Sequence, residues 1–216
     1  MFQDIEMSYM PSKSSRIANA LIRSESLKFG MFKLKSGFTS PYYIDLTWLL
    51  SSPQDFKCIV DAVVEEINDV LSSRRVDKLV SIELKGALLI PSIANKLKLP
   101  CLVVRKEEKE YGIASRIVGG KVKEGDHVVF FDDVVSTAKS KLEGIRPLEE
   151  LGAKVEMILV VIDREQGGKE TLEKLGYQFR ALTTISELVK TLLQSERITQ
   201  EQAETILDYT KGMRTQ

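Results

Sequence analysis

The stretch VVFFDDVVSTAKS, from Val128 to Ser140, decides the reading of the whole chain. Four apolar residues predict a short buried strand, with Asp132 and Asp133 at its C-terminal end. Two more apolar residues lead into a small, hydroxyl-rich turn, Ser136 to Ser140, that opens a helix. Open α/β sheets bind ligands outside the carboxyl ends of their strands. Acids placed there face a crevice and suit a polyol or a metal. Backbone N–H groups at the start of the next helix suit a phosphate. Aspartates also cap helices well, but a cap needs one acid, and here two follow an apolar run.

Working outward, strand and helix patterns alternate on both sides of this stretch. Upstream, Lys78 to Ile82 is a short apolar strand. The turn Glu83-Leu84-Lys85-Gly86 follows, then a helix from Ala87 to Lys96 and a strand from Leu99 to Val104. Downstream, a helix from Ser140 to Leu151 is expected to break near Pro147. The fully apolar run Val155 to Ile162 reads as a central strand. A helix from Lys169 to Leu175, a strand from Phe179 to Thr184, and helices over Ile185–Leu193 and Thr199–Tyr209 complete the chain, the last with Thr199 as cap. At the other end, 1–13 is a loose polar arm, and apolar spacing predicts a helix from Ser14, or Ser15 as cap, to a stop at Gly30. Two short strands, Met31 to Leu34 and Tyr42 to Leu46, flank a turn with Lys35 at its mouth. An amphipathic helix over Ser52–Leu71 follows. The alternation predicts an α/β fold, a central mostly parallel sheet flanked by helices, in one domain spanning 1–216.

The segment 105–121 breaks the alternation. It is rich in charge and glycine and has no sustained period, which fits either a functional lid or a solvated charge run. Lys+Arg and Asp+Glu are both 31, so the net charge is zero and gives no case for nucleic-acid or membrane binding. No apolar run reaches the length of a membrane span. Cys58 and Cys101 lie far apart in apolar segments, as buried small hydrophobes of a protein kept in a reducing cytoplasm. His127, the single histidine, stands in the turn-like EGDH, so histidine-based triad chemistry is not expected. Neither a Walker loop nor a GxGxxG fingerprint is present.

Four features then project to one rim: Lys85, the 105–121 segment, Asp132 to Ser140, and Arg164 in DREQGG, where an arginine can grip a carboxylate. The set suits a substrate with several phosphates, a sugar diol and a divalent cation, and contains no free nucleophile. At this point VVFFDDVVSTAKS resembles the signature of the type I phosphoribosyltransferases. LKSG with SPYYIDL (Leu34 to Gly37, Ser40 to Leu46) resembles the N-terminal hood of orotate phosphoribosyltransferases, here about 14–50. RKEEKEYG (Arg105 to Gly112) resembles their mobile catalytic loop, and DREQGG (Asp163 to Gly168) their orotate-side arginine motif.

The resemblance implies transfer of a phosphoribosyl group from phosphoribosyl pyrophosphate to orotate, with Mg²⁺, giving orotidine 5′-monophosphate and pyrophosphate. It places Asp132 and Asp133 on the ribose hydroxyls and Ser136, Thr137, Ala138, Lys139 and Ser140 around the 5′-phosphate. Lys85, Arg105, Lys106 and Lys109 would meet the pyrophosphate, with Lys109, Asp132 and Asp133 as the catalytic residues. Lys35, Tyr43, Ile44, Ser136 and Arg164 would face the base. No residue is expected to bind metal directly, because Mg²⁺ would be held through the pyrophosphate. A homodimer is implied, with Lys109 reaching the partner's site. Ala138 stands where the family carries glycine, and Lys139 where it carries glycine or serine. If residue 138 needs a positive φ, alanine is costly there. That departure motivates the alternative of a nucleotide-binding protein of the same fold with catalysis weakened or lost.

Overall fold

The computed structural model describes residues 12–33, 37, 39–107 and 116–214. In chain order the elements are α1 (Lys13–Arg23), β1 (Leu27–Lys33), β2 (Thr39–Ile44), a 3-10 turn (Leu46–Ser51), α2 (Pro53–Leu71), β3 (Lys78–Ile82), α3 (Lys85–Leu97), β4 (Cys101–Val104), β5 (Ile117–Val118), β6 (His127–Val135), α4 (Lys139–Glu150), β7 (Lys154–Asp163), α5 (Gly168–Lys174), β8 (Phe179–Thr184), α6 (Ile185–Gln194) and α7 (Gln200–Arg214). The main sheet runs β5-β4-β3-β6-β7-β8, parallel except for β5, and β1 and β2 form a separate antiparallel pair.

Side chains of β6 and β7 alternate between two cores, as a strand's period of two requires. Val129, Phe131, Met157, Leu159 and Val161 pack under α1, α2, α3, α6 and α7. Val128, Phe130, Ile158 and Val160 pack under α4 and α5. Each such buried side chain stabilises the fold by roughly 1.5–3 kcal/mol. With both faces covered, functional groups are left to the strand ends. No helix among the described residues is long and apolar enough to cross a membrane.

Several local expectations are corrected. Helix α1 stops at Arg23, its cap is Ser12, whose Oγ accepts from Ser15 N at 3.1 Å, and Leu27 already begins β1. Gly30 therefore does not end a helix. It lies in a strand, φ +145°, where the β1–β2 register shifts between Phe29 and Phe32, and there glycine marks a bulge. Helix α4 is not broken at Pro147. The Glu143 carbonyl, which loses its helical donor to the proline ring, accepts from Arg116 Nη2 at 3.2 Å instead. The 105–121 segment is not wholly irregular, because Ile117 and Val118 pair with Val104 and Val103. His127 is no turn residue. It opens β6, and its Nδ1 lies 2.7 Å from Glu156 Oε1, at the opposite end of the strand from Asp132 and Asp133. Both cysteines are free but only half-buried.

Candidate active site

Strand β6 carries Asp132 and Asp133 within its paired length and not beyond it, because its pairing with β7 continues to Val135↔Asp163. Pairing with β3 ends at Phe131, so the acids lie past the end of that neighbour. Both are buried, at 5% and 7% exposure. Together with Ile44, Glu83, Lys85, Lys106, Ser136, Ser140, Lys141 and Arg164 they line a cavity of about 380 Å³. Lys85 opens α3 and is not in the preceding turn as expected, and its Nζ stands 3.1 Å from Asp45 Oδ1. The next residue, Gly86, lies so close to β6 that a Cβ there would sit 2.5 Å from Asp132 Oδ1. The Lys106 N–H donates to Glu83 Oε1 at 2.6 Å. On the far wall, Arg164 lies 5.1 Å from the Tyr42 ring centroid and donates from Nε to Tyr42 Oη at 3.3 Å.

Charge in the cavity is arranged in opposed pairs. Burial pushes Asp133 up to about 7; the charge of Asp132 adds to this, and Lys141 and Lys85 oppose it. The Asp133 N–H donates to Asp132 Oδ1 at 2.9 Å, and Lys141 Nζ stands 2.6 Å from Asp132 Oδ2. Partial burial alone would raise Asp45, but hydrogen bonds from Thr47 and Lys85 outweigh it and hold the carboxyl below its usual range. Burial raises Tyr42, with Arg164 opposing.

The turn after β6 has the conformation that its glycine-poor sequence makes costly. Ala138 sits at φ +69°, ψ −10°, immediately before α4, and is buried. Left-handed geometry costs a residue with a Cβ roughly 1–2 kcal/mol. Thr137 and Lys139 are exposed, and none of Thr137, Ala138 and Lys139 lines the cavity. Arg105 is half-buried with its N–H on the Arg116 carbonyl at 2.8 Å, and Tyr43 packs on Phe32 at 5.6 Å between centroids; neither lines the cavity. Lys35 and Lys109 lie outside the described residues.

Sequence reasoning passed over Lys141, Tyr42, Asp45 and Glu83. Tyr42 and Asp45 stood in the quoted SPYYIDL without a role. Lys141 gave one available signal, a lysine directly after the hydroxyl turn on a helix face that packs inward. Among the described residues no group of three or more His, Cys, Asp or Glu side chains can hold a metal ion.

Comparison with known proteins agrees with this geometry. The family model described as "Phosphoribosyl transferase domain" matches residues 50–190. The orotate phosphoribosyltransferase of Pyrococcus horikoshii is 36% identical over 174 residues, covering 81% of this chain and 92% of that protein. Leishmania donovani UMP synthase superposes with a TM-score of 0.81 at 33% identity, covering 93% of this chain but only 43% of that one. The orotate phosphoribosyltransferase of Aeropyrum pernix gives 0.71 at 27% identity, over 82% of this chain and 97% of that one. A domain model spanning most of the chain, and a relative this similar across four fifths of it, leave one placement: the chain belongs to the orotate phosphoribosyltransferase family.

Proposed function

We propose that the chain joins orotate to the anomeric carbon of phosphoribosyl pyrophosphate as the bond to pyrophosphate breaks, giving orotidine 5′-monophosphate for pyrimidine biosynthesis. The observation that carries this is the convergence of Asp132, Asp133, Lys85, Lys106, Ser136, Ser140 and Arg164 on one cavity. Positive charge grows on the ribose ring in the transition state, and fixed carboxylates beside the ring hydroxyls favour it. Asp132 and Asp133 take that role. Ser136 and Ser140, which flank the turn into α4 and line the cavity, hold the 5′-phosphate. Lys85 and Lys106 offset the charge of the departing pyrophosphate. Arg164, fixed by Tyr42, meets the orotate carboxylate as a planar fork, beside Ile44.

Lys35 on the base side, Lys109 on the pyrophosphate side, and a homodimer in which Lys109 serves the partner's site rest on the sequence resemblance, a single domain rests on the strand–helix alternation, and a cytoplasmic location on the separated cysteines. Mg²⁺ belongs to the same proposal. With no carboxylate cage among the described residues, the fit is to an ion carried by the substrate's phosphate oxygens, the usual mode for this cation. When bound, it spreads the leaving group's charge.

The test is orotate consumption in the presence of phosphoribosyl pyrophosphate and Mg²⁺, followed by ultraviolet absorbance, with product identified by mass. Folded protein that consumes no orotate at high enzyme concentration refutes the proposal. Binding of phosphoribosyl pyrophosphate without turnover would instead support the alternative that Ala138 motivates, a binding protein with catalysis lost.

A further inference from the structure

Among the described residues Lys141 is the one buried lysine, and the proposed reaction does not use it. It is 4% exposed. Lysine is almost never buried to this degree unless paired, and a buried pair with no special geometry adds little stability over apolar packing. Its partners are specific. Nζ lies 2.6 Å from Asp132 Oδ2 and 3.3 Å from Ser140 Oγ, and donates to the Val134 carbonyl. Val135 gives its carbonyl to Arg164 N at 2.9 Å on the β7 side. Successive carbonyls of a strand point to opposite edges, and β3 has ended at that level. The Val134 carbonyl therefore has no ladder donor, and Lys141 supplies one.

An ammonium has three N–H donors, and here three acceptors take them. No donor is left over for a substrate phosphate. Asp132 is held from both sides, Oδ2 by Lys141 and Oδ1 by the Asp133 N–H, while Gly86 closes the space next to it. We infer that Lys141 is a positioning residue for the phosphoribosyl ring, which locks the Asp132 carboxylate in one orientation and supplies the permanent cation that lets two adjacent carboxylates share the cavity. This rests on the phosphoribosyltransferase reading above. The charged groups that bear on Asp133 are Asp132 from β6, Lys141 from α4 and Lys85 from α3, the last paired with Asp45. Glu83, Lys106 and Arg164 line the same cavity.

The test is a double-mutant cycle of Lys141→Met and Asp132→Asn, read by calorimetry with phosphoribosyl pyrophosphate, with carboxylate titrations by carbon NMR on the ligand-free protein. Lys141→Met should raise the pH at which Asp133 titrates by about one to three units, the effect of removing a close opposite charge. It should weaken binding roughly tenfold in the wild-type background and hardly at all in the Asp132→Asn background, because coupled residues are non-additive. Equal losses in both backgrounds would mean that Lys141 touches the ligand directly, and would overturn the inference. An unmoved Asp133 titration would do the same, leaving a packing role. If Lys141→Met does not fold, Lys141→Arg keeps the charge but moves it. Affinity should then fall while the Asp133 titration stays, and unchanged affinity would overturn positioning. Failure of orotate turnover by wild-type protein that passes these tests removes the proposed reaction and leaves the inference standing. Absence of any binding by the wild type removes both.

Discussion

Substituting Gly86 by alanine tests whether contact between α3 and β6 sets the geometry of the cavity. The new Cβ would stand 2.5 Å from both Asp132 Oδ1 and Ser81 Oγ and 2.9 Å from Asp132 Cα, where ordinary contact begins at 3.4 Å. Relief requires a displacement of about 0.9 Å (3.4 − 2.5). Asp132 cannot yield, since both its oxygens are held, and Ser81 is fully buried. The start of α3 must move instead, taking Lys85 with it. Overpacking of this kind costs about 1–3 kcal/mol, and in a chain of this size each kcal/mol lowers Tm by roughly 2–4 °C. A misplacement near 1 Å costs on the order of a hundredfold in rate, so kcat/KM should fall by about that factor. Steady-state orotate consumption and thermal unfolding measure the two effects. Gly152→Ala is the control. Its φ is +83°, its Cβ would meet Glu124 Cγ at 2.9 Å, and it lies by the opposite ends of β6 and β7. It should lose a similar Tm and keep its kcat/KM. If Gly86→Ala behaves like this control, the contact does not set the site.

Three further outcomes are expected. Asp133, raised to about 7 from 3.8, binds more protons in the native than in the unfolded state across that window. Unfolding free energy should therefore fall as pH rises from 3.8 toward 7 and level off above it, a slope that Asp133→Asn abolishes in urea titrations; kcat/KM, which reports the free enzyme, should climb through about pH 7. Ala138→Gly relieves roughly 1–2 kcal/mol of left-handed strain, but loses a buried methyl of about 0.8 kcal/mol and frees the unfolded chain by about 0.4–1 kcal/mol. The net change should stay within about 1 kcal/mol by urea denaturation, and a gain or loss well beyond that sinks the accounting. Arg164→Ala should raise KM for orotate by roughly ten- to a hundredfold, the worth of a charged hydrogen bond, with KM for phosphoribosyl pyrophosphate nearly unchanged; a rise in the latter instead would move Arg164 to the other substrate.

Legibility in the sequence followed how local the governing interaction was. Strands β3 and β8 were found at their observed bounds, because short β-prone runs closed off by turn residues leave little freedom in where a strand begins and ends. The Thr199 cap was readable for a similar reason: Thr199 and Gln202 satisfy each other across a single turn. Leu27 was misassigned because its helical spacing of seven residues from Ala20 is real, and only pairing with Ile44 pulls it into a strand. The αL conformation at residue 138 was suspected from a missing glycine, and the backbone has it despite the alanine. Lys141 was invisible as a site residue. Its meaning comes from the end of β3 and from its pairing with Asp132 across the strand–helix turn, and no local pattern encodes either.

The bond from Arg116 to the Glu143 carbonyl has an evolutionary reading. Pro147 creates an acceptor without a helical donor, and Arg116, the residue before β5, fills it. The two positions are therefore epistatic. A lineage that replaces Pro147 with a residue bearing an N–H restores the helical bond and makes Arg116 dispensable for α4. A lineage that loses Arg116 first leaves the Glu143 carbonyl to water. The order in which these two residues change therefore sets whether the Glu143 carbonyl keeps a protein donor throughout or passes through a stage in which water takes its place.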